Sequence, residues 1–326
     1  MKLIIQIPCY NEAETLGATL RDLPRTVAGF AEVEWLVIDD GSIDATIATA
    51  QAGGVDHIVS LTRNQGLARA FKAGLDACSK LGADVIVNTD ADNQYNAADI
   101  PSLVRPILEG NADIVIGARP IDTIESFSPL KKMLQKIGSS VVRIVSKSGV
   151  SDAPSGFRAM SRDAALRMNV FNDYTYTLET VIQAGQKGLA IMSVPVRVNA
   201  VTRPSRLVKS LTSYVGKSLV TMIRIFVVYK SFRFFMAIGM TSLTMGLLVG
   251  LRFLYYYFKA NGAGHVQSLI MASILLAAGF QTILVAFLAD LLAVNRRLME
   301  DVLYSVKTLE CGDRGKQIPD VKGRES

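Results

Sequence analysis

The stretch Val85–Tyr95 holds the residues whose types and spacing are best suited to chemistry. An apolar run rich in β-branched residues leads into Asp90 and Asp92, and a carboxamide follows at Asn93. The run predicts a buried strand. At the carboxyl end of a parallel strand both carboxylates can face the crevice in which such sheets bind ligands. Hard oxygen ligands suit Mg²⁺ or Mn²⁺. An Asp-x-Asp pair also occurs by chance in solvated loops, so its position after a strand is what favours a metal site.

Alternating strands and amphipathic helices surround this stretch. Strands are predicted at 2–7, 33–38, 58–61, 85–87 and 114–116, with helices around 16–23, from about 43, from 67 and around 100–108. This rhythm implies right-handed crossovers and a mostly parallel α/β sheet covered by helices on both faces. The second strand also ends in carboxylates, Asp39 and Asp40. Neither a dinucleotide-binding glycine motif nor a P-loop is present, so a nucleotide's phosphates must be held by a metal and side chains.

The composition favours a membrane or phosphate-bearing partner over nucleic acid. The 326 residues, half of them apolar, carry a net charge of +6 and allow one ordinary domain with a smaller appendage. Basic residues recur at 131–143 and 197–233, and no known nucleic-acid motif accompanies them, which does not favour nucleic acid. The scattered Cys9, Cys78 and Cys311 fit a reducing compartment. The first residues have too short an apolar core for a signal peptide.

Five motifs, in order along the chain, resemble the signatures of inverting family 2 glycosyltransferases. They are Ile7-Pro8-Cys9-Tyr10-Asn11-Glu12, Ile38-Asp39-Asp40-Gly41-Ser42 with Asp44 and Thr46, Arg63-Asn64-Gln65-Gly66, Asp90-Ala91-Asp92-Asn93-Gln94 and Asp152-Ala153-Pro154-Ser155-Gly156-Phe157-Arg158. They are most similar to those of polyprenyl-phosphate sugar synthases of the dolichyl-phosphate mannose synthase and bactoprenol glucosyltransferase type. The resemblance covers roughly residues 1–230. It implies a GT-A fold, which is Rossmann-like.

The resemblance also implies a role for each matching position. The base and ribose of a nucleotide-sugar would be held by Pro8, Tyr10, Glu12 and Asp39, with Asp40 and Arg63 close by. The metal on its diphosphate, Mg²⁺ or Mn²⁺, would be held by Asp90, Asp92 and Gln94. Asp39 and Asp40 could instead only cap the helix that follows them, and Gln94 could be an ordinary loop amide.

Transfer of a sugar to a lipid phosphate brings two anions together, a task that arginine forks suit. The candidate cations are Arg119 and Arg158 near the reacting groups and Arg203, Arg206, Lys132 and Lys136 for the acceptor phosphate. Asp152 would orient Arg158 or the sugar, or act as a base if the acceptor is a hydroxyl. Glu179 is a second candidate for that role, and each could be a plain structural carboxylate.

The region after the last motif departs from the family pattern. Mannose-type members tend to carry Arg-x-x-Gly-x-Ser-Lys there, whereas residues 203–210 are Arg-Pro-Ser-Arg-Leu-Val-Lys-Ser, which puts the identity of the sugar in doubt. A transferase of the same fold that acts on a hydroxyl of a lipid or glycan is the first alternative, and a catalytically silent membrane scaffold is the second. A processive synthase is disfavoured because its Gln-x-x-Arg-Trp motif cannot be present. The only tryptophan, Trp35, lies in the second strand.

The last third of the chain changes to a membrane composition. The predicted parts are a glycosyltransferase domain at 1–205, a basic amphipathic juxtamembrane helix at 206–233, transmembrane helices at 234–258 and 267–293, and a tail at 294–326. The two apolar segments are each about long enough to cross a hydrocarbon core of ~30 Å. Positive charge flanks this hairpin and is scarce in its short loop, so the catalytic domain and both termini are expected in the cytoplasm. The sequence allows a homo-oligomer without indicating one.

Overall fold

The computed structural model describes residues 1–120, 149–170, 176–199, 231–259 and 266–312. The strands are β1 (Lys2–Cys9), β2 (Glu32–Asp39), β3 (His57–Ser60), β4 (Val85–Asn88), β5 (Ile114–Ala118), β6 (Arg158–Ser161) and β7 (Ile191–Pro195). The helices are α1 (Ala13–Asp22), α2 (Thr46–Ala52), α3 (Leu67–Lys80), α4 (Ile100–Leu108), α5 (Arg162–Arg167), α6 (Tyr176–Gln186), α7 (Ser231–Lys259) and α8 (Val266–Glu310). The predicted alternation of strands and helices over the first 116 residues is confirmed.

The seven strands form one mixed sheet in the order β3-β2-β1-β4-β6-β5-β7. Strands β1 to β4 pair in parallel, as do β5 and β7, whereas β6 runs antiparallel between β4 and β5. The sequence predicts the mostly parallel sheet but neither β7 nor β6, and β6 (Arg-Ala-Met-Ser) lacks the run of β-branched residues that indicates a strand. Its direction matters for the site, because it pairs Arg158 at its start with Asn88 at the end of β4.

Helices cover both faces of the sheet. Seven consecutive residues of β1 are buried, as expected for a parallel strand that is covered on both sides. Leu16 of α1 and Leu103 of α4 belong to one core cluster with Leu3 and Ile5, and α3 buries Phe71 from its own apolar face. The sheet is therefore a rigid platform whose strand ends fix the positions of the loops that follow them.

The loop after β2 delays the next helix. The sequence predicts α2 from about Ile43, but the helix begins at Thr46. The Asp44 carboxylate accepts hydrogen bonds from the backbone N–H groups of Thr46 at 3.0 Å and Ala13 at 3.2 Å. Because Asp44 satisfies amide groups that would otherwise lack partners at the start of two helices, it favours a turn over a longer helix.

The chain divides into two compact units, Met1–Ser210 with Glu300–Ser326, and Leu211–Met299. In the second unit α7 and α8 are long and apolar enough to cross a membrane. They pack closely at small residues, since a Cβ added to Gly239 would lie 3.1 Å from the carbonyl oxygen of Gly279. Ser242 donates to the carbonyl oxygen of Leu275 at 2.8 Å. Many large apolar side chains of both helices are exposed, as expected of helices that face lipid.

Helix α8 is longer than the sequence predicts. It continues past the expected end of the second apolar segment to Glu310, because no glycine or proline lies between residue 293 and Gly312. Its last turns belong to the first unit. There Lys307 contacts the Asp76 carboxylate at 2.9 Å and the Tyr304 hydroxyl donates to Asp163 at 2.5 Å. Part of the predicted tail is thus an ordered helix.

Candidate functional site

The loops after β1, β2 and β4 bring their carboxylates together at one edge of the sheet. Cys9, at the end of β1, is buried among them. Burial raises the pKa of its thiol well above the usual value, and the negative charges of Glu12, Asp39 and Asp90 raise it further. Three of the sequence motifs are therefore neighbours in space, and Cys9 is an inert buried thiol rather than a nucleophile.

The first two of these loops are joined by hydrogen bonds. The backbone N–H of Asn11 donates to the Ser42 hydroxyl at 2.9 Å, and Ile43 N–H donates to the Asn11 carboxamide oxygen at 3.0 Å. Glu12 N–H donates to the Thr46 hydroxyl at 2.8 Å. Asn11 has a φ of 54°, a left-handed conformation that asparagine tolerates better than most residues. The reciprocal bonds hold the loops after β1 and β2 as one surface.

Asp40 has a structural position. Its two carboxylate oxygens accept the backbone N–H groups of Gln65 and Gly66, each at 2.8 Å, and so hold the loop before α3. Gly41 has a φ of 71°, and a Cβ there would lie 2.5 Å from the Arg63 backbone. The third sequence motif is thus fixed by the second. Both Asp40 oxygens already have protein partners, so the carboxylate anchors the loop that carries Arg63.

The other predicted nucleotide residues line the same edge. Asp39 is buried and accepts the Ser42 N–H at 3.2 Å, so it stabilises the turn after β2. Pro8 is buried in β1, whereas Tyr10 is 41% exposed and Arg63 is exposed. An exposed aromatic ring and an exposed cation therefore lie on the loops after β1 and β3, and a buried carboxylate lies at the end of β2.

Asp90 and Asp92 follow the end of β4, and both are partly buried. Burial, followed by the negative charge of Asp92, raises the pKa of Asp90 to about 7, although Arg119 and Arg158 oppose the shift. The Asp92 carboxylate accepts the backbone N–H of Gln94 at 3.1 Å. No group of three His, Cys, Asp or Glu side chains suited to a metal occurs in the described part of the chain. A cation here would therefore have two carboxylates and would need further ligands from Gln94, water or a substrate.

Arg119 and Asp152 form a buried ion pair. Arg119 donates to the Asp152 carboxylate from Nε at 2.7 Å, from Nη2 at 3.1 Å and from its backbone N–H at 3.2 Å. Burial alone lowers the pKa of the guanidinium, but Tyr95 and Asp152 outweigh it and raise the pKa above its usual value. Asp152 thus orients Arg119, and the expectation that it orients Arg158 does not match this geometry. A carboxylate with three donors from one arginine is poorly placed to act as a base.

Arg158 is fully buried. Its guanidinium donates to the Thr180 hydroxyl at 2.6 Å, to the Thr177 carbonyl oxygen at 3.2 Å and to the carbonyl oxygens of Ala153 and Ser155. Because these partners are all within the protein, this placement does not support direct contact with a ligand phosphate. Arg158 instead ties the Ser155 segment to the first turn of α6.

A buried hydrogen-bond network beneath Asp90 was not evident from the sequence. The Asn88 carboxamide nitrogen donates to the Gly156 carbonyl oxygen at 2.9 Å and to the Tyr176 hydroxyl at 3.1 Å. Its oxygen accepts from the Gln6 side chain at 2.9 Å. Tyr176 also stacks on Phe71, with ring centroids 3.9 Å apart. The polar residues in otherwise apolar strands, Gln6 and Asn88, were the available signal.

Because Gly156 has no side chain, the hydrogen-bond network of Asn88 and Tyr176 can lie against Asp90. A Cβ at this position would be 3.0 and 3.1 Å from the two Asp90 oxygens and 3.2 Å from the Tyr176 hydroxyl. We expect Gly156→Ala to displace Asp90 by a few tenths of an ångström and to weaken Mn²⁺ binding about tenfold, as changes beside metal ligands commonly do. Gly149→Ala is the control, because a Cβ at Gly149 meets nothing within 4 Å. Equal Mn²⁺ affinity of both variants, measured by titration, would contradict this expectation.

The remaining candidates have different positions. Glu179 is buried on α6 and accepts from the Gln183 side chain at 3.4 Å. The predicted acceptor-phosphate cations Lys132, Lys136, Arg203 and Arg206 lie outside the described residues, as do residues 206–230 of the predicted juxtamembrane helix. Residues 231–233 of that prediction form the start of α7. The structure therefore brings the candidate nucleotide and metal residues together and pairs Arg119 with Asp152. Arg158 is buried and bonds to other groups of the protein.

Comparison with a family model gives a match over the first half of the chain. The model described as glycosyl transferase family 2 matches residues 4–167. This range contains all five sequence motifs, most of β1 and strands β2 to β6.

Two relatives are similar over about three fifths of this chain. The undecaprenyl-phosphate mannosyltransferase of Micrococcus luteus is 30% identical over 206 residues, which are 60% of this chain and 83% of the relative. The polyprenol monophosphomannose synthase of Mycolicibacterium smegmatis is 27% identical over 206 residues, 60% of this chain and 76% of that protein. The similarity to polyprenyl-phosphate sugar synthases inferred from the motifs is confirmed.

A solved structure shares the fold. Glucosyl-3-phosphoglycerate synthase from Mycobacterium tuberculosis, in complex with phosphoglyceric acid, superposes with a TM-score of 0.55 at 21% sequence identity. The superposition covers 69% of this chain and 79% of that chain. The same synthase has also been solved with Mn²⁺ and uridine-diphosphate. At this identity the likeness confirms the GT-A fold.

Proposed function

We propose that this chain, which belongs to glycosyl transferase family 2, transfers one sugar from a UDP- or GDP-sugar to a polyprenyl phosphate. The observation that carries the proposal is the similarity to two relatives named for mannose transfer to polyprenyl phosphates. The two apolar helices, which are long enough to cross a membrane, support it. A polyprenyl chain is retained in the bilayer, so an enzyme that uses it must work at the membrane surface.

The donor's diphosphate is assigned to a divalent cation at Asp90 and Asp92, with Gln94 as a further ligand. Two neighbouring carboxylates, one with its pKa raised to about 7, are a set of hard oxygen ligands that a cation would stabilise. When bound, Mg²⁺ or Mn²⁺ neutralises the leaving diphosphate. The nucleoside is assigned to Pro8, Tyr10, Glu12 and Asp39, with Arg63 near the phosphates.

In the proposed transfer, an oxygen of the lipid phosphate forms a bond to the anomeric carbon. The bond from that carbon to the donor's diphosphate breaks, and its electron pair leaves with the diphosphate. Attack on the face opposite to the leaving group inverts the anomeric configuration. Because the acceptor oxygen is already anionic at neutral pH, no side chain has to remove a proton. The pairing of Asp152 with Arg119 is compatible with such a mechanism.

The membrane arrangement is also part of the proposal. Basic residues precede α7 and follow the apolar part of α8, whereas the short connection between the helices contains little positive charge. The positive-inside rule then places the catalytic domain and both termini in the cytoplasm. The acceptor phosphate would meet cations of the segments that carry Lys132, Lys136, Arg203 and Arg206.

The experiment that tests the function combines the purified full chain, Mn²⁺ or Mg²⁺ and a panel of radiolabelled GDP- and UDP-sugars. Each donor is offered with polyprenyl phosphate and, as a control, with polyprenol. A labelled lipid formed only from the phosphate is the expected result, and the successful donor identifies the sugar. Label on polyprenol, a glycan or another lipid would instead indicate the hydroxyl-directed transferase. No transfer and no nucleotide-sugar binding would indicate the silent scaffold.

The raised pKa of Asp90 predicts a pH-dependent stability in metal-free buffer. Its folded pKa of about 7 exceeds the usual unfolded value of about 4, so the neutral carboxyl stabilises the fold at low pH. This contribution is lost as the pH rises through 7. Relative to Asp90→Asn, the wild-type protein should therefore lose thermal stability between pH 5 and pH 8, and Mn²⁺ should restore it at pH 8. Fluorescence of the buried Trp35 reports the unfolding, and parallel pH profiles of the two proteins would contradict the prediction.

A further inference from the structure

The segment after β7 lies along the loop that carries the proposed metal ligands. Val198 forms an isolated antiparallel bridge with Tyr95. Asn199 N–H donates to the Gln94 carbonyl oxygen at 2.8 Å, and Asn96 N–H donates to the Arg197 carbonyl oxygen at 3.2 Å. We call residues 92–96 the metal loop and residues 197–199 the strap. Backbone bonds on both sides of the bridge fix the register of the strap on the metal loop.

The Asn199 side chain adds contacts that the backbone pairing does not require. Its carboxamide nitrogen donates to the Asn93 carbonyl oxygen at 2.9 Å, with longer contacts to the Asn93 carboxamide oxygen at 3.5 Å and the Tyr95 carbonyl oxygen at 3.4 Å. Asn93 has a φ of 54°, so the loop turns through a left-handed residue between Asp92 and Gln94. Asn199 supplies a donor to the carbonyl group of the residue that makes this turn.

An ion pair holds the other end of the strap. Arg197 donates to the Asp99 carboxylate from its backbone N–H at 2.7 Å, from Nε at 3.0 Å and from Nη2 at 2.6 Å. Asp99 ends the short 3₁₀ turn Ala97–Asp99 that precedes α4, so the strap is fixed directly beyond the metal loop. Although the Arg197 side chain is 64% exposed, its three donors converge on one carboxylate. The position of Asn199 is therefore set by contacts that do not involve the metal.

We propose that Asn199 is a positioning residue for the metal ligands Asp92 and Gln94, acting through the backbone of Asn93. The inference rests on the proposed function, because it requires the cation site at Asp90 and Asp92. When Asn199 holds the turn, the side chains of Asp92 and Gln94 lose little conformational entropy as the cation binds. Without it, the loop must be ordered at the moment of binding, and the cation dissociates more readily.

The test compares Mn²⁺ binding by the full chain and its variants, with Mn²⁺ alone as the probe in electron paramagnetic resonance titrations. Asn199→Ala removes the donor without adding charge, and Asn199→Asp retains the shape without the donor. Both are expected to bind Mn²⁺ about tenfold more weakly, in the range usual for groups behind metal ligands. Asn111→Ala is the matched control, because Asn111 is exposed and its side chain donates to Glu109 at 3.1 Å, away from the metal loop.

The outcomes separate this inference from the proposed function. Wild-type and Asn199→Ala proteins with equal Mn²⁺ affinity would overturn the role of Asn199 and leave the metal site intact. Wild-type protein that does not bind Mn²⁺ would overturn the metal site and the inference together. Trp35 fluorescence in metal-free buffer measures the folded fraction of each variant. A loss of Mn²⁺ binding only in proportion to that fraction would make Asn199 a purely structural residue.

Discussion

Asp92→Asn is expected to reduce sugar transfer by at least about 100-fold. A metal ion supplies several kcal/mol of charge stabilisation, and each 1.36 kcal/mol corresponds to a factor of ten in rate. The substitution removes a carboxylate charge but keeps an oxygen that can accept the Gln94 N–H, as Asp92 does at 3.1 Å. The loop can therefore retain its hydrogen bond while the proposed metal site loses a carboxylate. The measurement is the rate of labelled lipid formation at several Mn²⁺ concentrations.

Asp301→Asn is the matched control for this variant. Asp301 is exposed on α8, so the same change of charge there should leave the rate within about twofold. A rate for Asp92→Asn equal to that of the wild type, in buffer stripped of metal, would remove the metal from the mechanism. If the transfer rate of Asp92→Asn recovered fully at high Mn²⁺, Asp92 would contribute only to the affinity for the metal.

The second large effect is expected on stability, from the buried Arg119–Asp152 pair. Removal of one partner leaves the other charge buried without compensation, which typically costs about 3–5 kcal/mol. The side chains of Arg119 and Asp152 are only 9% and 1% exposed, so water cannot readily replace the lost partner. We expect Arg119→Met and Asp152→Asn each to lower the free energy of unfolding by that amount. Denaturant titration followed by Trp35 fluorescence measures it.

The double variant Arg119→Met with Asp152→Asn tests whether the loss of stability comes from an unpaired buried charge. Without either charge the desolvation cost disappears, so the double variant should be more stable than the Arg119→Met single variant. Glu32→Gln is the control, because Glu32 is 65% exposed in its 3.9 Å ion pair with Lys2 and exposed pairs contribute at most about 1 kcal/mol. Full stability of Asp152→Asn with abolished transfer would instead support a direct chemical role for Asp152.

Local patterns were sufficient for much of the fold. The apolar runs of β1, β2 and β4 and the helical spacing of α1, α3 and α4 are properties of short segments, and they predicted these elements close to their observed bounds. The motifs at the strand ends also predicted a shared edge, because parallel strands place their carboxyl ends together. The apolar composition of α7 and α8 predicted two membrane-length helices.

Contacts between distant segments account for most of what the sequence did not predict. β6 forms as a strand between β4 and β5, and this position buries Arg158. The Asn88 side chain donates to the hydroxyl of Tyr176, which lies 88 residues later in the sequence. The pattern of residues around Asn88 does not indicate which distant residue will be its partner. The last turn of α8 likewise has a distant partner, since Lys307 contacts Asp76 across 231 residues.

The sequence by itself determined the fold class, the family resemblance and the carboxylate pair Asp90 and Asp92, because strand period, motif spacing and side-chain chemistry are all local. Only the tertiary structure decided which charges face the crevice and which are held within the protein. Arg119, Asp152 and Arg158 were equivalent candidates in the sequence, yet the first two form a buried pair and the third bonds to carbonyl oxygens and a hydroxyl. The physical reason is that a buried charge needs partners, and the packing of the sheet determines which groups are within reach.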